Sequence, residues 1–171
     1  SWARSAETLH ERGNSMIKDW KHLLRRVGVT LKTPFVDIQI KPDSDGVNTQ
    51  RLWVSASGGN IPDKCQPAGN ESDWSPLFIA RARYENGVNI GKTRSEFGGA
   101  LIPYDGREIK VAHYEVYMGS QKWLSARDGE IPADALFAGQ EANGDPLYVA
   151  RAELHGGLHI GKVRPGLKAA M

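Results

Sequence analysis

Shifted by 70 residues, the chain lies over itself without a gap. Trp53-Val54-Ser55-Ala56 meets Trp123-Leu124-Ser125-Ala126, and Pro76-Leu77-Phe78-Ile79-Ala80-Arg81-Ala82 meets Pro146-Leu147-Tyr148-Val149-Ala150-Arg151-Ala152. Ile90-Gly91-Lys92 meets Ile160-Gly161-Lys162. From Trp53 to Leu101 against Trp123 to Met171, 20 of 49 paired positions are identical. A gapless match of that density marks an internal duplication. It also ranks the polar residues: one kept in both copies at a loop-like position is a better site candidate than one seen once.

The composition allows a folded core. Apolar residues make up 40% and charged residues 25%, near the average for globular domains. The formal net charge of +2 is too mild to point to nucleic acid, and no basic run interleaved with aromatics occurs beyond the first 30 residues. No apolar stretch approaches the length of a membrane span, and no signal-peptide pattern opens the chain. The first residue is Ser1 rather than Met, as in a processed or excised segment. Composition assigns no compartment. The single cysteine, Cys65, faces Ala135 in the other copy, so the repeat requires no thiol there. It excludes an intramolecular disulfide and reads as a small, partly buried side chain.

Residues 1 to 30 are read as an N-terminal amphipathic helix. Within residues 5 to 27, Leu9, Met16, Ile17, Trp20, Leu23, Leu24 and Val27 recur at helical spacing, with Lys18, Lys21, Arg25 and Arg26 mainly around the other side. Such a helix can cover a core or a neighbouring domain, or dock on a membrane or protein partner. Residues 31 to 50 read as an extra strand, Phe35 to Ile40, followed by a polar linker. The first repeat unit then spans 51–120 and the second 121–171.

Each unit is rich in strand and turn signals. Leu77 to Tyr84 alternates, with Leu77, Ile79 and Arg81 on one face and Phe78, Ala80 and Ala82 on the other. Asn86-Gly87 is a hairpin signal, replaced by Gly156-Gly157 in the second copy. Val88 to Arg94 is the return strand. Short strands between Gly, Asn and Pro turns predict an all-β antiparallel sandwich or barrel. The second copy stops opposite Leu101 and lacks an equivalent of Ile102 to Gly119, including the strand Tyr114-Glu115-Val116-Tyr117. A sheet with an empty slot leaves backbone groups unpaired. Phe35 to Ile40 is the one unassigned alternating apolar run, so it is expected to fill that slot.

Three polar features survive duplication: Glu71 and Glu141, Arg81 and Arg151, and Lys92 and Lys162. A Glu and a Lys brought together across a hairpin form a clamp suited to adjacent sugar hydroxyls, since the carboxylate accepts and the ammonium donates. Gly91 and Gly161 would let backbone approach a ligand closely. The competing reading is a surface ion pair that stabilises little. The arginines sit mid-strand and read as paired braces between the copies. Trp53 and Trp123 open each copy and read as core. Trp74 faces Gly144, and His155 and His159 face Glu85 and Asn89. A histidine chemistry shared by both copies is thereby excluded. Trp74, Asn89 and His159 are kept as accessory contacts of the clamp. No catalytic residue, metal site or cofactor site is expected, because no activated nucleophile, phosphate loop or ligand cluster is visible.

These motifs resemble the DM-nine repeat family, the β-rich module of natterin-like proteins and of invertebrate mannose-binding lectins. The matching residues are Trp53 to Pro62, Ala68-Gly69 with Glu71, Pro76 to Ala82, Gly91-Lys92, Ile102-Pro103-Tyr104-Asp105-Gly106-Arg107-Glu108 and Tyr114-Glu115-Val116. The resemblance covers about residues 51 to 171. It implies tandem, intertwined antiparallel β-sandwich units about a pseudo-twofold, with strands exchanged between them. It also implies mannose recognition through an acidic residue early in each unit and the lysine after the hairpin. Those roles fall on Glu71 with Lys92 and on Glu141 with Lys162.

Two functions follow from these readings. The first is a carbohydrate-binding, lectin-like module for mannose-type glycans, with two similar sites and no catalysis. The second is a recognition or targeting module of a larger natterin-like protein, pore-forming or membrane-associated, with the N-terminal helix meeting a membrane or protein partner. A homo-oligomer is compatible with both. An enzyme ranks behind them, because a glycosidase needs two carboxylates across one bond and each copy keeps one at the candidate clamp.

Overall fold

The computed structural model describes residues 35–42, 49–127, 130–154 and 156–165. The helix expected over residues 5 to 27, and His155, lie outside them. The described part is all-β. Its strands are β1 (Phe35–Gln39), β2 (Trp53–Ser57), β3 (Gly69–Asn70), β4 (Pro76–Tyr84), β5 (Gly87–Thr93) and β6 (Ala100–Tyr104). They continue with β7 (Arg107–Val111), β8 (His113–Tyr117), β9 (Trp123–Arg127), β10 (Phe137–Gln140), β11 (Pro146–Leu154) and β12 (Gly157–Val163).

The hairpins β4–β5 and β11–β12 are the longest pairings, each running over seven residue pairs. The first turn explains the sequence signal and corrects it by one residue. In the first hairpin Tyr84 pairs with Gly87, so the central turn residues are Glu85 and Asn86, with φ of 47° and 62°. The left-handed conformation falls on Glu85-Asn86 rather than on Asn86-Gly87. Two consecutive residues at positive φ make the tight turn whose twist suits a hairpin.

The two copies are tied into one sheet rather than standing as separate sandwiches. Short β3 pairs with β4 of its own copy and, at Asn70↔Leu158, with β12 of the other. Short β10 pairs with β11 and, at Gln140↔Val88, with β5. The antiparallel pairings β4–β5–β10–β11–β12–β3–β4 therefore close a circuit. Closure of this kind removes exposed strand edges.

The circuit surrounds the main core. Leu77 and Ile79 of β4, Ile90 of β5, Leu147 and Val149 of β11 and Ile160 of β12 pack with Ala68 and Ala138. The opposite face of β4 places Ala80 and Ala82 against Ile102, Tyr114 and Val116. The opposite face of β11 places Ala150 and Ala152 against Ile38 and Ala126. Both central strands are thus buried on both faces, which is why their alternation reads as large apolar against small.

β1 occupies the slot left open in the second copy. It pairs with β9 from Phe35↔Arg127 to Gln39↔Trp123 and with β11 at Asp37↔Arg151 and Ile38↔Ala150. In the first copy β8 does the same work, pairing with β2 and, at Arg81↔Glu115 and Ala80↔Val116, with β4. The place that β8 takes in the first unit is taken by β1 in the second.

Candidate functional site

The crossing strands decide which side chains meet. Glu71 follows β3 directly, so the Asn70↔Leu158 bridge sets it beside β12 of the other copy. There His159 presents its ring. Lys92 reaches the same ring from β5, with Nζ donating to Nδ1 at 3.1 Å. A lysine ammonium has donors and no acceptor, so Nδ1 accepts and the remaining proton sits on Nε2. That nitrogen lies 4.0 Å from the Glu71 carboxylate. The gap is too long for a hydrogen bond, so the carboxylate keeps lone pairs open to another donor. Lys92 also stands 3.9 Å from Glu108 of β7.

The histidine is neutral at physiological pH. Burial, followed by the Lys92 charge, pushes its pKa down from 6.5 to about 4, against a smaller upward pull from Glu71. A neutral imidazole beside an ammonium avoids like-charge repulsion and holds the lysine head as an acceptor.

The second lysine is held from the equivalent position of the opposite copy. Lys162 of β12 donates to Asn89 Oδ1 of β5 at 2.6 Å. The Asn89 amide donates in turn to the Tyr84 carbonyl at 3.2 Å, which orients it. Glu141 follows β10, and its backbone runs against Gly87, where an added Cβ would lie 3.4 Å from the Glu141 carbonyl carbon. The Lys162 ammonium lies 5.6 Å from the centre of the Tyr104 ring, which packs edge to face on Tyr84. Cation and ring attract one another at that range.

These contacts refine the clamp expected from the sequence. Glu71 and Lys92 belong to one neighbourhood, but they meet through His159 rather than across their own hairpin. The accessory residues His159 and Asn89 turn out to hold the two lysines, each from the opposite copy. They face each other in the repeat alignment, one His and one Asn, so identity between copies could not single them out. Glu108 and Tyr104 carry no duplication signal, because the 70-residue overlay pairs only residues 53–101 with 123–171. The close approach at Gly91 is also reassigned. A Cβ there would lie 2.0 Å from the Leu101 carbonyl oxygen of β6, so the neighbouring strand occupies the space expected for a ligand.

The arginines brace the copies as expected. Arg81 Nε donates to Glu115 at 3.1 Å, and its Nη1 donates to the Ala138 carbonyl of the other copy at 3.1 Å. Arg151 donates to Asp37 at 3.1 Å and to the Ala68 carbonyl at 2.9 Å. Each guanidinium stacks 4.1 Å from a tryptophan ring centre, Trp53 or Trp123. Trp53 is buried, and Trp123 packs against the same core. Cys65 is half-buried, and burial pushes its thiol up to about 11, which makes it a poor nucleophile.

No curated protein matches the chain at a significant level. The DM9 repeat matches it twice, over residues 45–111 and 98–171, overlapping through β6 and β7. The two matches together span most of the sequence and fall on the duplicated units. The chain belongs to the DM9 repeat family, known for modules of the carbohydrate-binding type.

Proposed function

We propose that the chain is a non-catalytic, lectin-like module that binds mannose-type glycans at two similar sites. Glu71, Lys92 and His159 form one site, and Glu141, Lys162 and Asn89 form the other. The observation that carries this reading is the reciprocal seating of the two lysines. Each is held by an acceptor from the opposite copy, beside the turn that bears a glutamate. A held ammonium can donate to one sugar hydroxyl while the carboxylate accepts from its neighbour, and charge strengthens both bonds. Because the sites are assembled across the copies, the reciprocal contacts also support reading the fold as intertwined units about a pseudo-twofold.

Single shallow sugar sites bind weakly, so two of them act through avidity on a glycan-coated surface. Catalysis fits the arrangement less well. The duplication keeps one carboxylate at each clamp, Glu71 or Glu141, whereas a glycosidase needs two across one bond. Calorimetric titration with methyl mannoside and mannotriose tests the proposal on the wild type and on the double variant Lys92→Ala, Lys162→Ala. Binding is expected in the first and not in the second. Equal binding in both removes the lysines from the site, and sugar hydrolysis abolished by Glu71→Gln would make the protein an enzyme.

A further inference from the structure

The turn after β3 and the turn after β10 have the same architecture. Glu71 N donates to the Ser75 carbonyl at 2.9 Å, and Trp74 N donates to the Glu71 carbonyl at 3.0 Å. Glu141 N donates to the Asp145 carbonyl at 2.9 Å, and Gly144 N donates to the Glu141 carbonyl at 2.9 Å. The side-chain bonds match as well, Asp73 Oδ1 accepting from Ser75 N at 2.9 Å and Asn143 Oδ1 from Asp145 N at 3.0 Å. The fourth position differs. It has φ of 90° in Gly144 and 69° in Trp74.

Glycine adopts that conformation freely, whereas an L side chain there is strained. Burial does not offset the strain, because Trp74 is 78% exposed. The residue is therefore unfavourable to the fold both in its backbone and in its unburied indole, at a position where the other copy carries glycine. A strained, fully presented aromatic points to a contact outside the chain. Its place identifies the contact: three residues beyond Glu71, on the same hydrogen-bonded turn.

We infer that Trp74 is an aromatic platform of the first site, on which a second sugar ring stacks while Glu71 and Lys92 hold the first. The inference rests on the glycan reading given above. A pyranose has an apolar face of C–H groups that covers an indole, and a ring fixed on a short turn loses little freedom on contact. The two sites then share their clamp and differ in reach. The site with Trp74 takes a short oligosaccharide, and the site with Gly144 takes a single residue.

The test uses the full chain carrying Lys162→Ala, so that only the first site titrates. Into this parent is placed Trp74→Gly, the residue of the second copy, with Trp74→Phe as a partial replacement. Melting temperature is measured alongside, and Trp74→Gly is expected to keep or raise it. Affinity for mannotriose is expected to fall about tenfold in Trp74→Gly and less in Trp74→Phe. Affinity for methyl mannoside should change by less than about twofold. Unchanged mannotriose affinity in Trp74→Gly, with binding abolished by Lys92→Ala, overturns the platform and leaves the glycan site standing. A parent that titrates with no sugar overturns both. Trp74-dependent sedimentation with phosphatidylcholine vesicles, without an effect on sugar affinity, assigns the indole to a lipid surface and overturns the platform.

Discussion

Lys92 Nζ lies 3.1 Å from His159 Nδ1, joining β5 of the first copy to β12 of the second. The bond requires a neutral imidazole, and that makes stability depend on pH. The unfolded chain takes up a proton on this residue near 6.5, while the folded protein does so only near 4. Between those values the unfolded state binds more protons, so stability is full above about pH 6.5 and falls as pH drops toward 4. The shift corresponds to roughly 3 kcal/mol. His159→Asn, which copies Asn89, should remove this part of the slope. Urea unfolding of both proteins at about pH 7, 5 and 4 checks it. Parallel pH profiles for the two would show that the imidazole is not held neutral by the fold.

Arg81 connects three partners at once: Glu115 of β8, the Ala138 carbonyl of the other copy and the Trp53 ring. Arg81→Ala leaves a carboxylate and a carbonyl without their donor and removes the stacked cation. The expected loss is about 3 kcal/mol by chemical denaturation. Arg81→Lys should recover less than half, because one ammonium cannot reproduce the planar fork that serves all three. Arg151→Ala should behave alike through Asp37, Ala68 and Trp123.

The parts of this fold legible in the sequence are those where one side chain's chemistry is local. The alternation of Leu77 to Tyr84 shows the central strand, and Phe35 to Ile40 declares itself as a strand without a partner in its own repeat. Closure of the circuit was not legible. It depends on single bridges at Asn70 and Gln140, made by strands of two and four residues whose partners lie in the other copy. For the same reason the glutamates and lysines were found by duplication, whereas His159 and Asn89 took their place only once β5 and β12 were seen to face each other.

The donated strand gives a prediction of its own. Ile38 is 1% exposed and packs with Ala126, Ala150 and Ala152 beneath β11. Ile38→Ala should destabilise by about 2 to 5 kcal/mol, the range for a truncated core side chain. The effect tests whether β1 is integral to the second unit. A loss below about 0.5 kcal/mol would mean that the slot is closed without it.

Two glycines hold the circuit shut by what they lack. A Cβ on Gly69 would lie 2.1 Å from the Leu158 carbonyl oxygen, and a Cβ on Gly139 would lie 2.3 Å from the Val88 carbonyl oxygen. Both obstacles are backbone of the opposite copy, so neither can swing aside as a side chain would. Alanine at Gly69 must push β3 away from β12 and carry Glu71 away from His159. Gly69→Ala should therefore destabilise by about 3 kcal/mol and weaken sugar binding at the first site, with Gly139→Ala acting in the same way on the second. Gly58 provides the contrast. It has φ of 62° and nothing within 4 Å of an added Cβ, so Gly58→Ala should cost only the backbone strain of about 1 kcal/mol. Equal losses at Gly58 and Gly69 in urea unfolding would mean that close approach of the two copies does not hold the circuit together.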